Sequence, residues 1–291
     1  MAKLKFTPVV IIGAGRSGTN TLRDMLTSLS EFATWDCDEI NPIWRHGNSS
    51  WPNDEIPATR ATPPIRRFIR RAFERIWHQT GQPQFIVEKT CANSLRVPFV
   101  DAVLPEAKYV YIVRSGIDVV ASARKRWRGD FEHPSLPYFA AKIRYTPLVD
   151  LPLYGATFLK ARARLMLGMA KRLSVWGPRF DGMDALKDSP LDEICAHQWA
   201  ACVNRSDAAL KQIGPARVLE IRYEDLISDP KAALSEILKF LGTEASQTDM
   251  KNAVAPIRVI SAGKEPGSQD ALSETALDIM KAPLKAHGYG E

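Results

Sequence analysis

Short apolar runs alternate with longer amphipathic segments along the chain. Four runs rich in Val, Ile and aromatic residues have the length and composition of buried strands. Between them, apolar residues recur at intervals of three and four residues, which is typical of helices. Strands that alternate with helices predict an α/β fold, in which helices flank a P-loop-like parallel sheet. The predicted strands are residues 9–12, 85–87, 108–113 and 217–221.

The chain length, the prolines and the helical pattern predict one domain, 1–291, that carries an insertion. A chain of 291 residues without internal repeats is long enough to bury one large core. The prolines between residues 41 and 64 predict an irregular loop. Residues 128–190 combine prolines with many aromatic side chains, and we interpret them as a mostly helical insertion. The predicted helices are residues 21–29, 65–78, 96–103, 117–127, 192–213 and a segment that closes at 241–242.

Composition narrows the classes of partner. Lys and Arg number 39 against 33 Asp and Glu, a net charge of +6 that suits polyanionic ligands. The sequence has no long Lys/Arg run with interleaved aromatic residues, so nucleic acid is not expected as a partner. The 4 cysteines form no CxxC pair and have no His-rich spacing beside them, so we expect reduced thiols and no metal site.

The apolar segments do not predict export or membrane insertion. The N-terminal apolar run is too short for a signal peptide, and a glycine-rich loop follows it at once. The most apolar later stretch, 148–169, is interrupted by charged residues and does not predict a transmembrane helix. We therefore expect a cytoplasmic protein, and contact with a membrane surface stays open.

A glycine-rich loop links the first strand to the first helix. Gly13-Ala14-Gly15-Arg16-Ser17-Gly18 matches the G-x-G-x-x-G pattern of dinucleotide-binding folds. Asp36 or Asp38 lies near the distance along the chain at which such folds bind the ribose. A Rossmann NAD(P)-binding protein is therefore one alternative.

The same loop also has the character of an anion cradle related to the P-loop. Backbone N–H groups of a glycine-rich turn at a helix N-terminus bind phosphate or sulfate oxygens. A P-loop nucleotide kinase is thus a second alternative, although the loop lacks the usual Gly-Lys-Ser/Thr ending. The candidate binding residues of the loop are Gly15, Arg16, Ser17, Gly18, Thr19 and Asn20.

A second polar constellation follows the third strand. Arg114 leaves the end of that strand, and Ser122 lies about two turns into the next helix. Together with the glycine loop, this pair resembles the two-site pattern of the sulfotransferase family. The resemblance implies that the loop holds the 5'-phosphosulfate of the donor 3'-phosphoadenosine 5'-phosphosulfate (PAPS). Arg114 and Ser122 would then hold the 3'-phosphate, and the desulfonated product would be PAP.

Three further segments are similar to this family. Lys89, in Val87-Glu88-Lys89-Thr90, resembles a strand-end Lys of carbohydrate sulfotransferases that reaches the active site. Tyr223 opens a Tyr-Glu-Asp-Leu segment that is similar to one found downstream in the family, which makes it a donor-binding candidate. Ser261 and Lys264 lie where the family has a loop that closes over the donor, although Glu265 stands in place of the usual Trp.

The resemblance implies catalysis by positioning and electrostatics, with no metal. Arg16 and Lys89 would stabilise the charge that develops on the bridging oxygen, and we expect Glu88 to support Lys89. An acceptor hydroxyl has a high pKa and benefits from a general base. In the carbohydrate and tyrosyl enzymes that this chain resembles, a Glu just after the first helix has that place. The candidates for the base here are, in order, Glu39, Asp38, Asp36, and then His46 and His78.

The expected acceptor is a hydroxyl of a carbohydrate, a glycolipid or a small metabolite. The predicted insertion places aromatic residues amid Arg and Lys, and the resemblance implies that it covers the acceptor. Its cations would meet an anionic glycan or a lipid headgroup, whereas core packing explains any single aromatic residue equally well. The aromatic residues concerned are Trp127, Tyr138, Phe139, Tyr145, Tyr154, Phe158 and Trp176.

Overall fold

Five parallel strands form a central sheet in the part of the chain that the structure describes. The computed structural model describes residues 3–128, 144–150, 176–257 and 272–290. The strands are β1 (Thr7–Ile12), β2 (Phe32–Ala33), β3 (Phe85–Lys89), β4 (Lys108–Val113) and β5 (Val218–Arg222). Their order across the sheet is β2-β3-β1-β4-β5, and every neighbouring pair is parallel. The predicted α/β fold class is confirmed.

Helices connect the strands and cover the sheet. They are α1 (Thr19–Thr27), α2 (Asn41–Arg45), α3 (Pro63–Gln79), α4 (Val97–Val103), α5 (Gly116–Arg128), α6 (Leu191–Ile213), α7 (Tyr223–Ser228), α8 (Pro230–Leu241), α9 (Gln247–Val254) and α10 (Glu274–Ala286). Short 3-10 helices lie at Ala58–Arg60, Cys91–Leu95 and Met183–Leu186. Among these described helices, none has both the length and the apolar composition needed to cross a bilayer.

The side chains of β1 alternate between two apolar layers. Val9 and Ile11 pack with residues of α1 and α8 on one face of the sheet. Val10 and Ile12 pack with residues of α3 and α4 on the other face. All four side chains are buried, so the strand is continuously apolar in sequence instead of alternating with polar residues. A third apolar cluster joins α5, α6 and α10.

The prediction of a wholly irregular segment at 41–64 is wrong at its start, where α2 forms. Ile43 and Trp44 of this short helix are buried in the apolar layer beneath α3. Pro42 occupies the first turn, where a missing N–H costs no intrahelical hydrogen bond. Tertiary burial therefore outweighs the high proline content of the segment.

The single helix expected before 241–242 is two helices, α7 and α8. The Asp229 carboxylate accepts a hydrogen bond from the backbone N–H of Ala232 over 2.9 Å and caps α8. Pro230 takes the first position of α8, where its fixed backbone angle is compatible with a helix start. Strand β2, with two residues, and helix α9 were not predicted.

The strand ends that carry site candidates meet at one edge of the sheet. β1 and β3 are in register at Ile11 and Lys89, and β4 and β5 are in register at Val113 and Arg222. After β1 the chain forms β2 and β3 on one side of it and later β4 on the other side. In open α/β sheets, ligands bind at such a reversal of strand order, outside the carboxyl ends of the strands. The glycine loop lies at this point.

Candidate active site

The glycine loop between β1 and α1 has a backbone that only glycine fits at two positions. A Cβ at Gly13 would lie 2.7 Å from the carbonyl oxygen of Ile112. Gly18 has a φ of 86°, and a Cβ there would lie 2.3 Å from the Tyr223 ring. Arg16 has a positive φ of 75° although it carries a side chain, a strained conformation that concentrates at functional sites. The loop thus holds a defined backbone at the N-terminus of α1, where first-turn N–H groups lack intrahelical acceptors.

Arg16 lies among other cations. Its Nε donates to Oγ of Ser122 over 2.9 Å, and Nη1 of Arg114 donates to its backbone oxygen over 3.3 Å. Burial, followed by the charges of Arg126 and Arg114, lowers the pKa of Arg16. Arginines that disfavour one another's charged form would all gain from a bound anion. The positive charge here is therefore suited to a multiply charged ligand.

Tyr223 connects the glycine loop to Arg114. The guanidinium carbon of Arg114 lies 4.4 Å from the centroid of the Tyr223 ring, and the same ring packs against Gly18. Nη2 of Arg114 lies 3.8 Å from Asp118, whereas its Nε is buried with no hydrogen-bond partner among the described residues. An unpaired buried donor costs free energy, so this atom is suited to a ligand oxygen. We call Arg16, Arg114, Ser122 and Tyr223 the loop cluster.

Glu224 and Tyr289 support the loop cluster through hydrogen bonds at the end of β4, and neither was predicted as a site residue. Oε1 of Glu224 accepts a hydrogen bond from the backbone N–H of Ser115 over 3.3 Å, directly after Arg114. The hydroxyl of Tyr289 donates to Oε2 of Glu224 and also lies 3.3 Å from the carbonyl oxygen of Val113. These bonds fix the turn between β4 and α5. The sequence signal for Glu224 was the Tyr-Glu-Asp segment, and that for Tyr289 was the Gly-Tyr ending of the chain.

Lys89 lies at the end of β3 with only 2% of its side chain exposed. Its Nζ donates to Oδ1 of Asp38 over 2.9 Å and to Oε1 of Glu39 over 3.2 Å. Burial alone would lower the pKa of Lys89, but the facing negative charges hold the pKa above its ordinary value. Lys89 is thus a charged, positioned cation. We call Lys89, Asp38 and Glu39 the lysine cluster.

The three candidate carboxylates occupy different environments. Glu39 is 26% exposed and also accepts a hydrogen bond from the backbone N–H of Cys91 over 3.1 Å. Asp38 is bound by Lys89 and by Arg23, at 3.2 Å; although burial would raise the pKa of Asp38, these two cations lower it. A carboxylate with a lowered pKa is a weaker proton acceptor. Asp36 is exposed and pairs with exposed Arg144 at 3.1 Å.

The two histidine candidates lie outside both clusters. His46 follows α2, and its Nδ1 lies 2.8 Å from Oδ2 of Asp150. Its ring packs on Phe68, with 3.7 Å between the centroids. His78 is exposed near the end of α3. Neither histidine contacts Lys89, so the structure gives them no part in the lysine cluster.

The expectation that Glu88 supports Lys89 as its partner is wrong. Consecutive residues of a strand point to opposite faces, and Glu88 turns away from Lys89 into the protein. It accepts hydrogen bonds from Oγ1 of Thr90, at 2.5 Å, and from Nδ2 of Asn93, at 2.8 Å. Burial raises the pKa of Glu88 to about 7. Because Oγ1 of Thr90 accepts from the backbone N–H of Ile40, at 3.3 Å, Glu88 helps to hold the segment that carries Glu39.

The two clusters are connected through the start of α1. Thr19 is buried, and its Oγ1 lies 3.7 Å from Sγ of Cys91, two residues after Lys89. Ser17 is also buried, and its backbone N–H donates to the carbonyl oxygen of Ala14 over 3.2 Å. Asn20 is exposed at the first turn of α1.

Several predicted residues of the insertion and of the late loop lie outside the described residues. Tyr145 is described beside Asp36. Burial, followed by the hydrogen bond to Asp36, raises the pKa of the Tyr145 hydroxyl to about 12. Trp127 is buried in the core, and Trp176 contacts the glycine loop: a Cβ at Gly15 would lie 3.3 Å from its ring. The candidates outside the described ranges are Ser261, Lys264, Tyr138, Phe139, Tyr154 and Phe158.

Solved structures with the same fold are sulfotransferases. The chain is similar to the sulfotransferase domain from the curacin biosynthetic pathway, with 14% identity, a TM-score of 0.54 and 96% of this chain and 98% of that chain covered. The sulfotransferase domain of the Synechococcus olefin synthase is 16% identical, with a TM-score of 0.52 and with 97% of this chain and 96% of that chain covered. A sulfotransferase from Mycobacterium avium is 12% identical, with a TM-score of 0.54 and with 98% of this chain and 77% of that chain covered. At these identities the likeness shows a shared fold.

A family model decides the classification. No curated protein matches this sequence. The model of the sulfotransferase family, however, matches residues 8–166 and 169–247, which include the glycine loop, Lys89, Arg114 and Tyr223. The P-loop nucleotide kinase and the Rossmann NAD(P)-binding protein that the glycine loop had left open are therefore set aside. The chain belongs to the sulfotransferase family.

Proposed function

We propose that this sulfotransferase uses PAPS as its donor and transfers the sulfuryl group to an acceptor hydroxyl by in-line displacement. The observation that carries the proposal is the loop cluster. Hydrogen bonds from Arg16 to Ser122 and from Arg114 to the Arg16 backbone bring these three side chains together, and Nε of Arg114 is buried without a partner among the described residues. A terminal phosphate dianion can accept several such charge-assisted bonds at once, which suits the 3'-phosphate of PAPS.

The glycine loop suits the second anionic group of the same molecule. The backbone N–H groups of Gly18 and Thr19 stand at the N-terminus of α1, the site that helices offer to phosphate and sulfate. The Arg16 side chain, which sequence reasoning assigned to the 5'-phosphosulfate, contacts Ser122 in this structure. We therefore assign the loop N–H groups to the phosphosulfate and the Arg16 guanidinium to the boundary between the two anionic groups.

Lys89 supplies the second cation of the reaction. In the proposed displacement, the acceptor oxygen forms a bond to sulfur while the bond from sulfur to the bridging oxygen breaks, and PAP leaves. Negative charge then accumulates on the bridging oxygen. Lys89 is buried, charged and fixed by Asp38 and Glu39, so it stabilises that charge without a costly rearrangement.

Glu39 is the carboxylate we assign to the acceptor proton. It contacts Lys89 and accepts a hydrogen bond from the backbone N–H of Cys91, which fixes its position. Asp38 is held by two cations that lower its pKa, and Asp36 pairs with an arginine away from Lys89. The proton of the acceptor hydroxyl would pass to Glu39 as the oxygen attacks sulfur. General-base assistance of this kind contributes roughly 10²–10⁴-fold to a rate.

The acceptor class we propose is a hydroxyl of a carbohydrate, a glycolipid or a small metabolite. The test is transfer of radiolabelled sulfur from PAPS to a panel of these three classes. We expect label on one class with the wild type, strong loss with Lys89→Ala, and wild-type transfer with Lys125→Ala, which removes an exposed cation of α5. A wild-type protein that labels no acceptor and also releases no PAP from PAPS would contradict the proposal.

A further inference from the structure

Helix α3 carries two kinds of arginine. Arg70 is buried and forms an ion pair with Glu106 at 2.6 Å, and Nε of Arg66 donates to the carbonyl oxygen of Ala61 over 2.6 Å. These two arginines serve the fold. The other arginines of the helix have a different environment.

Arg67, Arg71 and Arg75 are exposed and spaced by four residues, so they lie along one face of α3. None of the three forms an ion pair with an acidic residue in the described part of the chain. Glu74, the acidic residue of this helix, is exposed beside them and leaves the face with a net positive charge. We call the three arginines the arginine stripe.

The arginine stripe borders a surface depression of about 350 Å³. Pro64, Phe68 and Ala72 line this depression together with the stripe. The guanidinium groups therefore surround apolar carbon instead of carboxylates. A surface of this kind offers charge attraction at its rim and apolar contact at its floor.

Two exposed apolar side chains belong to a described segment that is linked to α3 through His46. Leu148 and Val149 are 82% and 76% exposed. Asp150, the next residue, is held 2.8 Å from His46, whose ring packs on Phe68 of the depression. These two contacts tie the residue that follows the apolar pair to Phe68 of α3. Adjacent large apolar side chains that remain exposed to water commonly mark an interaction site.

We propose that the arginine stripe and Leu148-Val149 form a docking surface for an anionic lipid membrane. The guanidinium groups pair with phosphate headgroups, and the two apolar side chains enter the interfacial region of the bilayer. A nucleic acid or a soluble polyanion would satisfy the arginines and leave Leu148 and Val149 in water. The membrane therefore accounts for both halves of the surface.

The docking surface is linked in structure to the segment that carries Glu39. The described segment 144–150 begins with Arg144, which pairs with Asp36, and ends with Asp150 beside α3. Docking would thus bring the segment that carries Glu39 close to lipid headgroups. This last step, which favours a lipid-borne acceptor, rests on the proposed function, whereas membrane binding itself does not.

The test is co-sedimentation of the full chain with vesicles of phosphatidylcholine alone or mixed with phosphatidylglycerol. We expect binding to the anionic vesicles that weakens as salt rises. A triple variant, Arg67→Ala with Arg71→Ala and Arg75→Ala, should bind on the order of 100-fold more weakly, at about fivefold per arginine. Leu148→Ser with Val149→Ser should also weaken binding. The charge-matched control replaces three exposed lysines elsewhere by Ala, namely Lys211, Lys231 and Lys251.

Three outcomes would overturn the docking surface: equal losses in the control, wild-type binding by the triple variant, or an undiminished affinity after the two serine substitutions. Binding of heparin or single-stranded DNA that depends on the stripe alone would assign it to a polyanion instead. Thermal stabilisation by PAP, measured in the same variants, reports the donor site separately. If PAP does not stabilise the wild type, the proposed function is contradicted, and the result on membrane binding is unaffected.

Discussion

Nε of Arg16 donates a hydrogen bond to Oγ of Ser122 over 2.9 Å, across 106 residues of sequence. This bond joins the glycine loop to helix α5 and so places two expected binding regions side by side. Sequence reasoning treated Arg16 and Ser122 as contacts to distant anionic groups of one donor. Because the two residues are in direct contact, Arg16 would lie between the phosphosulfate and the 3'-phosphate of the bound donor.

Arg114→Ala should weaken binding of PAP far more than binding of adenosine 5'-phosphosulfate, which lacks a 3'-phosphate. Loss of a hydrogen bond from a charged group costs about 1.5–3 kcal/mol, or roughly 10- to 150-fold in affinity. Calorimetry with both ligands measures the difference. Lys125→Ala, on the same helix as Ser122, is the control and should bind both ligands normally. Equal losses of affinity for the two ligands would show that Arg114 does not contact the 3'-phosphate.

Gly18→Ala should destabilise the protein through a clash as well as through its backbone angle. Any Cβ at this positive φ costs about 1–2 kcal/mol, and the contact with Tyr223 adds roughly 1–3 kcal/mol. Gly81→Ala is a matched control, because Gly81 has a φ of 85° and no atom within 4 Å of a Cβ. Urea unfolding should show the larger loss for Gly18→Ala. Equal losses would mean that Tyr223 moves aside at little cost.

Glu39→Gln should slow sulfuryl transfer while it preserves PAP affinity. The amide retains an oxygen for Lys89 and for the N–H of Cys91, but it takes up no proton. Single-turnover transfer to the acceptor found above should fall by about 10²–10⁴-fold. Asp38→Asn and Asp36→Asn are run beside it. A wild-type rate for Glu39→Gln, with one aspartate variant inactive, would move the role of base to that aspartate.

Glu88→Gln should flatten the dependence of stability on pH. The folded pKa of about 7 lies above the ordinary 4.5, so the folded state holds the proton more tightly. The contribution of Glu88 to stability is therefore complete below pH 4.5 and is lost as pH rises through 7, by on the order of 3 kcal/mol.

Urea unfolding at pH 5 and pH 8 measures this effect. The wild type should lose stability between the two values, and Glu88→Gln, which resembles the protonated acid, should lose less. Glu236→Gln, an exposed carboxylate of α8, should keep the wild-type dependence. If the free energy of unfolding of Glu88→Gln falls as steeply between pH 5 and pH 8 as that of the wild type, Glu88 remains ionised in the folded protein.

The sheet, and the edge of it at which the site residues lie, could be predicted from the sequence because they depend on local patterns. Val9–Ile12 is buried on both faces and therefore continuously apolar, and glycines mark the turn that follows it. The contact between Arg16 and Ser122 could not be predicted, because it depends on how side chains far apart in sequence are oriented. Glu88 has a different reason: the predicted strand ended at residue 87, so being next to Lys89 suggested a pair. The strand in fact runs to Lys89, and strand alternation sends the two side chains to opposite faces.

The central claim is that the loop cluster and the glycine loop bind one molecule with two anionic ends. Thermal unfolding of the wild type with PAP, ATP or NADP at equal concentrations tests it most directly. PAP should stabilise the fold, by about 2.7 kcal/mol at a hundred times its dissociation constant, and that gain should fall in Arg114→Ala. Stabilisation by NADP or ATP with no effect of PAP would contradict the account.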